Sequence, residues 1–210
     1  ITAMIESPKP SIIFAVGNII KRNGKYTKSL IPGILKCVTS TGLFPDYDYF
    51  PQIYCILWCF KVSFNDSKEY NSYCFKMIKK QIFKWNESTK LYSIKLLKIM
   101  LHSDIGIKDI LSLIHQLLEE NQSNSIIDES IKLICKCAIL QIKKINDDSY
   151  ELSETFQTIQ LFPKYIKKII LIFIQLLDKN EIHKIKKDLF DFILKNSYKS
   201  FKHLINVLEP

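Results

Sequence analysis

Apolar residues recur at helical steps in paired blocks, and the blocks themselves recur along the chain. The leading segments begin near residues 11, 50, 88, 125 and 163, so successive starts lie about 39, 38, 37 and 38 residues apart. A period this even restricts the chain to a series of similar supersecondary units. The third unit, Ser88 to Asn121, shows the pattern most clearly. Leu91, Ile94, Leu97 and Leu101 stand three and four residues apart, along one side of a 3.6-residue helix. Ile107, Ile110, Leu111, Ile114, Leu117 and Leu118 repeat that period. Ser88 or Thr89 is expected to cap the first helix, and His102-Ser103-Asp104 with Gly106 to end it and start the next. So short a link folds the two helices back antiparallel.

The other blocks follow in order. Ile1 to Pro10 reads as the tail of a preceding helix and a linker broken by Pro8 and Pro10. Ser11 to Lys21 is predicted as a first helix closed by Asn23-Gly24, and Thr27 to Ser40 as its partner, with Gly42 to Asp48 as a loop. A second pair is predicted over Tyr49 to Phe64 and Ser67 to Trp85. A fourth begins near Ser125 with an unusually long helix, followed by the polar loop Asn146 to Ser149 and a weaker partner, Glu154 to Leu161. A fifth comprises Pro163 to Leu177 and Glu181 to Leu194, and Ser197 to Leu208 starts another helix. With five Gly and seven Pro in 210 residues, a strand-and-turn architecture has little material, and the reading is all-α. Both chain ends read as cut from something longer.

Paired helices at this spacing resemble HEAT or armadillo-type repeats, an α-solenoid class, over nearly the whole chain. The resemblance rests on period and pattern, since such repeats have no invariant motif. The tetratricopeptide alternative needs about 34 residues and a small/aromatic signature, and neither is present. The resemblance implies an α-α superhelix of about five hairpins plus a partial one, within one solenoid segment spanning 1–210. The approximate repeats are 11–48, 49–87, 88–124, 125–162 and 163–196, with 197–210 the partial one. A single hairpin cannot bury both its apolar faces, so each leans on the next and leaves a ridge of second helices on the inner side. In the class resembled, that ridge holds protein partners.

Hydrophobic residues make up 47% of the chain, enough for a continuous core. The formal charge of +9 prompts a search for nucleic acid or an anionic membrane. Of the 30 basic residues, however, only Arg22 is arginine, the residue suited to bidentate phosphate and base contacts. Nucleic acid is therefore the less favoured partner. The apolar run Ile169 to Leu177 is far too short to span a bilayer, which takes about 20 residues, and reads as a helix buried on most of its circumference. Cys37, Cys55, Cys59, Cys74, Cys135 and Cys137 fall inside predicted helices, mostly among apolar neighbours. They read as reduced, buried thiols of an intracellular protein, cytoplasmic or nuclear, rather than a secreted disulfide framework. The sequons at Asn65, Asn86 and Asn121 come with no signal peptide to support their use.

A search for chemistry yields no constellation. Gly17, Gly24, Gly33 and Gly42 are too dispersed for a phosphate-binding loop, and His102, His115, His183 and His203 stand apart from one another. Cys55 and Cys59 share a face, with Cys74 as the nearest extra thiol, but no fourth zinc ligand is evident. Glu119-Glu120 and Asp147-Asp148 read as solvated termini. The expectation is a protein without catalytic residues, cofactor or metal. The positive features are surface ones. Lys76, Lys80 and Lys84 recur every four residues with Lys79 beside them, forming a basic stripe, and Lys184 and Lys187 supply a similar pair. Aromatic residues crowd Phe44 to Phe64, and Tyr47 and Tyr49, in the loop Leu43 to Tyr49, are candidate partner anchors. These residues point to a scaffold that binds other protein subunits of a large complex.

Overall fold

The computed structural model describes residues 10–23, 53–58, 68–101, 106–143, 153–177, 187–189 and 191–193. The expected helix Thr27 to Ser40, the loops at 42–48 and 146–149, the turn at 102–105 and the segment Ser197 to Leu208 lie outside them. The described residues are helical throughout, joined by turns, with no strand among them. In chain order they form α1 (Pro10–Arg22), α2 (residues 53–58), α3 (Lys68–Gln81), α4 (Glu87–Met100), α5 (Ile107–Glu119), α6 (Asn124–Lys143), α7 (Ser153–Gln160) and α8 (Ile166–Leu176). Residues 187–189 and 191–193 are helical too. The chain divides into two compact units, Ile1–Leu133 and Ile134–Pro210, and the boundary falls inside α6. None of these helices is long and apolar enough to cross a membrane.

In the first unit, α1 opens on Pro10, whose fixed φ and missing N–H suit a first helical turn. The helix thus starts slightly ahead of the predicted Ser11. Ile13, Val16 and Ile20 form its buried stripe, and Gly17 lies within it. Against that stripe packs α2, whose Ile53, Tyr54, Cys55, Ile56 and Leu57 are all buried. Tyr54 stacks on Phe14 with ring centroids 4.6 Å apart and donates its hydroxyl proton to Asn18 Oδ1 at 2.9 Å. Cys55 Sγ donates to the Ile13 carbonyl at 3.0 Å. A Cβ on Gly17 would sit 2.5 Å from Tyr54 Cδ1, so glycine is what lets the two helices approach this closely. The other side of Tyr54 meets Tyr92 of α4 edge-on, with centroids 5.7 Å apart.

Further along, α3 buries Asn71, Cys74, Phe75, Met77 and Ile78, and passes into a 3₁₀ turn, Ile82–Lys84, which buries Ile82. Trp85 and Asn86 are extended and break the helical path before α4. The cap of α4 is Asn86, whose Oδ1 accepts from Thr89 N at 2.9 Å, and not Ser88 or Thr89 as the sequence suggests. Thr89 supplies the capped N–H and is itself fully buried, its carbonyl accepting from Ser93 Oγ at 2.7 Å. Ile94, Leu96, Leu97, Met100 and Leu101 complete the buried face, while Leu91 is half-buried.

Gly106 caps α5, which buries Ile110, Leu111, Leu113, Ile114, Leu117 and Leu118. Full burial of a side chain of this kind contributes about 1.5–3 kcal/mol, so this stripe is the main term holding a 13-residue helix. Lys90 near the start of α4 reaches Glu120 just past α5, Nζ to Oε2, at 3.9 Å. The two helices therefore run antiparallel. Ser123 Oγ donates to Glu87 Oε1 at 2.6 Å and accepts from Ile126 N at 3.4 Å, so one hydroxyl starts α6 and ties it to the first turn of α4.

In the second unit, the later half of α6 buries Ile134, Cys135, Cys137 and Ala138. Cys135 Sγ lies 3.4 Å from the Ile169 carbonyl of α8, and Thr158 Oγ1 of α7 donates to Gln141 Oε1 at 3.0 Å. A 3₁₀ turn, Pro163–Tyr165, leads from α7 into α8, and the two helices pack against each other. Phe156 stacks on Phe192 at 4.6 Å. Ile166, Ile169, Ile170, Phe173 and Ile174 of α8 are buried, as is Leu177 after it. Leu171 and Leu176 are 37% and 49% exposed, so α8 is buried along one side and not on most of its circumference. The i, i+3, i+4, i+7 positions face the core, and the two leucines outside that set remain on the surface, where apolar atoms are ordinary.

Candidate partner-binding surface

Lys76, Lys79 and Lys80 project from α3 and Lys84 from the 3₁₀ turn after it, and all four are exposed. The sequence expectation of one α-helical stripe holds for Lys76 and Lys80. Lys84 departs from it because the α-helix ends at Gln81 and the tighter turn that follows changes the angular step. The opposite side of the same segment is anchored: Cys74, Ile78 and Ile82 are all fully buried. The cations thus stand on a backbone fixed by packing. No acidic residue occurs between Tyr70 and Asn86, and among the described residues no carboxylate pairs with any of the four lysines.

The field changes sign immediately afterwards. Glu87 lies in the first turn of α4, and Lys90 brings Glu120 to the same end of that helix, with Glu119 beside it. Gln122 Nε2 also donates to Glu120 Oε2 at 2.9 Å, and Lys90 Nζ lies 3.5 Å from Gln122 Oε1. Lys90, Gln122 and Ser123 carried no signal of this junction, because the contacts join residues more than 30 apart in sequence. Lys187 is exposed in the second unit, whereas Lys184, Tyr47 and Tyr49 lie outside the described residues. Of the aromatic cluster, Tyr54 is buried and Trp58 half-buried, the latter with Lys21 Nζ 4.9 Å from its ring centroid. These two serve the contact between α1 and α2.

The thiols divide in the same way. Cys55, Cys74, Cys135 and Cys137 are buried, and Cys37 and Cys59 lie outside the described residues. Burial pushes the Cys135 thiol up to about 12, with neighbouring Cys137 adding to the shift, and burial likewise pushes Cys137 up to about 12. Neither is a nucleophile at neutral pH, since the thiolate is the reactive form. His115 pairs with Glu119 at 3.5 Å on the surface of α5, a helix-face contact of the i, i+4 kind. Among the described residues no three His, Cys, Asp or Glu side chains gather as a metal site. Compared with protein-family models, with curated proteins and with solved structures, the chain finds no match.

Proposed function

We propose that the chain is a non-catalytic helical-repeat scaffold, a HEAT/armadillo-type α-solenoid segment that binds protein partners within a large intracellular assembly. One observation carries the reading: within each unit, side-chain contacts join residues one sequence period apart. Tyr54 bonds Asn18 across 36 residues, Glu87 bonds Ser123 across 36, and Cys135 bonds Ile169 across 34. The edge-on pair Tyr54–Tyr92 and the stacked pair Phe156–Phe192 follow the same rule. Neighbour-to-neighbour packing at the repeat distance is what stacked hairpins produce, each unit touching the next in chain order. The buried, protonated thiols fit a reducing compartment.

The lysine face favours a second reading, a basic solenoid bound to an RNA or DNA backbone. Affinity capture of the full-length protein from cells, with and without nuclease, separates the two. Retention of the major protein partners after nuclease supports the scaffold. Their loss on digestion transfers the proposal to nucleic acid, as does binding that falls steeply with salt.

A further inference from the structure

We infer that the Lys76, Lys79 and Lys80 face of α3, continued by Lys84 on the 3₁₀ turn that follows, is a docking surface for a short aspartate- and glutamate-rich segment of a protein partner, an assignment that rests on the scaffold reading above. The cations are exposed, unpaired by any carboxylate among the described residues and carried on a segment whose far side is locked into the core. Their geometry sets the length of the ligand. From Lys76 through the 3₁₀ turn to Lys84 the rise is about 13 Å, which an extended stretch of roughly four residues spans at ~3.3 Å each. Three residues beyond Lys84 a longer polyanion meets Glu87, in the first turn of α4, the end of that helix to which Lys90 also holds Glu120. A phosphate backbone carries its charge onward into that repulsion, whereas a short acidic segment ends before it. The ligating groups are also all ammoniums, single point charges matched to separate carboxylates and without the planar fork that holds a phosphate bidentately.

The test uses the purified full chain and two fluorescent probes of equal charge: a peptide of four glutamates flanked by Gly-Ser, and an oligothymidylate with four phosphates. Binding is read by anisotropy at low ionic strength. Two triple variants carry the same net charge, K76E/K80E/K84E on the face and K108E/K164E/K167E at exposed positions away from it. The face variant should bind the peptide about ten-fold more weakly than the native chain, because exposed, screened ion pairs are each weak and three of them become repulsions. The control variant should change by less than about two-fold. K76Q/K80Q/K84Q, which removes charge without reversing it, should lie between, with far-UV ellipticity unchanged in all three. Equal weakening in the two triple variants overturns the inference, as does tighter binding of the oligothymidylate than of the peptide. If peptide binding ignores the face while cellular partners survive nuclease, this docking site fails and the scaffold stands. Loss of those partners on nuclease treatment removes the scaffold itself.

Discussion

At the scale of single residues, two small side chains carry opposite expectations. Gly17 faces a Tyr54 ring pinned by a hydrogen bond on its hydroxyl and a stack on its face, so the ring has no free direction in which to yield. Gly17→Ala gains about 1 kcal/mol of helix propensity but pays overpacking of about 1–3 kcal/mol. The urea midpoint should therefore fall, by roughly 1 kcal/mol in free energy. Ser130 is fully buried in α6 with no hydrogen-bond partner for its hydroxyl. Ser130→Ala removes a desolvation penalty of about 1–3 kcal/mol and improves helix propensity. Its midpoint should rise, and a fall of the same size would show that the hydroxyl has a hidden partner. The thiols predict a pH dependence. Cys135 and Cys137 titrate at about 12 when folded, against about 8.5 in an unfolded chain. The unfolded state then releases protons first, so stability is flat below about pH 8.5 and declines as pH rises from there toward the folded value. A Cys135→Ala, Cys137→Ala double variant should show a shallower alkaline decline in urea melts.

Helix by helix, the sequence was legible wherever one clean apolar stripe faces the core. The stripe of α5, from Ile110 to Leu118, is the predicted set with Leu113 added and Ile107, which is half-buried, left out. The sequence misled where several residues compete for one role. Asn86, Ser88 and Thr89 are all capping types, and what decides among them is where the helix begins, at Glu87, with Asn86 Oδ1 accepting from Thr89 N. Asn86→Ala should cost about 1 kcal/mol, read as a lower melting temperature. Ser88→Ala, at an exposed first-turn position, should leave it nearly unchanged. In α8 the apolar run hid the difference between core and surface, because Ile170 and Leu171 look alike in a sequence while one is fully buried and the other 37% exposed. The basic stripe was legible as composition, but the switch to a 3₁₀ turn at Ile82 carries no local signal and displaces Lys84.

For the whole molecule, the boundary between the units passes through α6, between Leu133 and Ile134, both fully buried. A fragment that begins there starts a helix on four unsatisfied N–H groups beside Cys135 and Cys137, and adds a charged amine at a position with no exposure. Residues 134–210 alone should therefore show less total ellipticity at 222 nm than residues 124–210, by more than the missing turns from Asn124 to Leu133 account for. A difference no larger than those turns' own share would mean that the second unit holds its part of α6 by itself.

Both tryptophans of the chain, Trp58 and Trp85, belong to the first unit. Tyr54 lies 6.1 Å from the Trp58 ring, close enough to pass its excitation on. Indole emission therefore comes from the first unit alone, and with excitation selective for tryptophan no fluorophore after Leu133 contributes. Melting curves recorded by emission and by circular dichroism will superimpose only if the dark half comes apart together with the bright one.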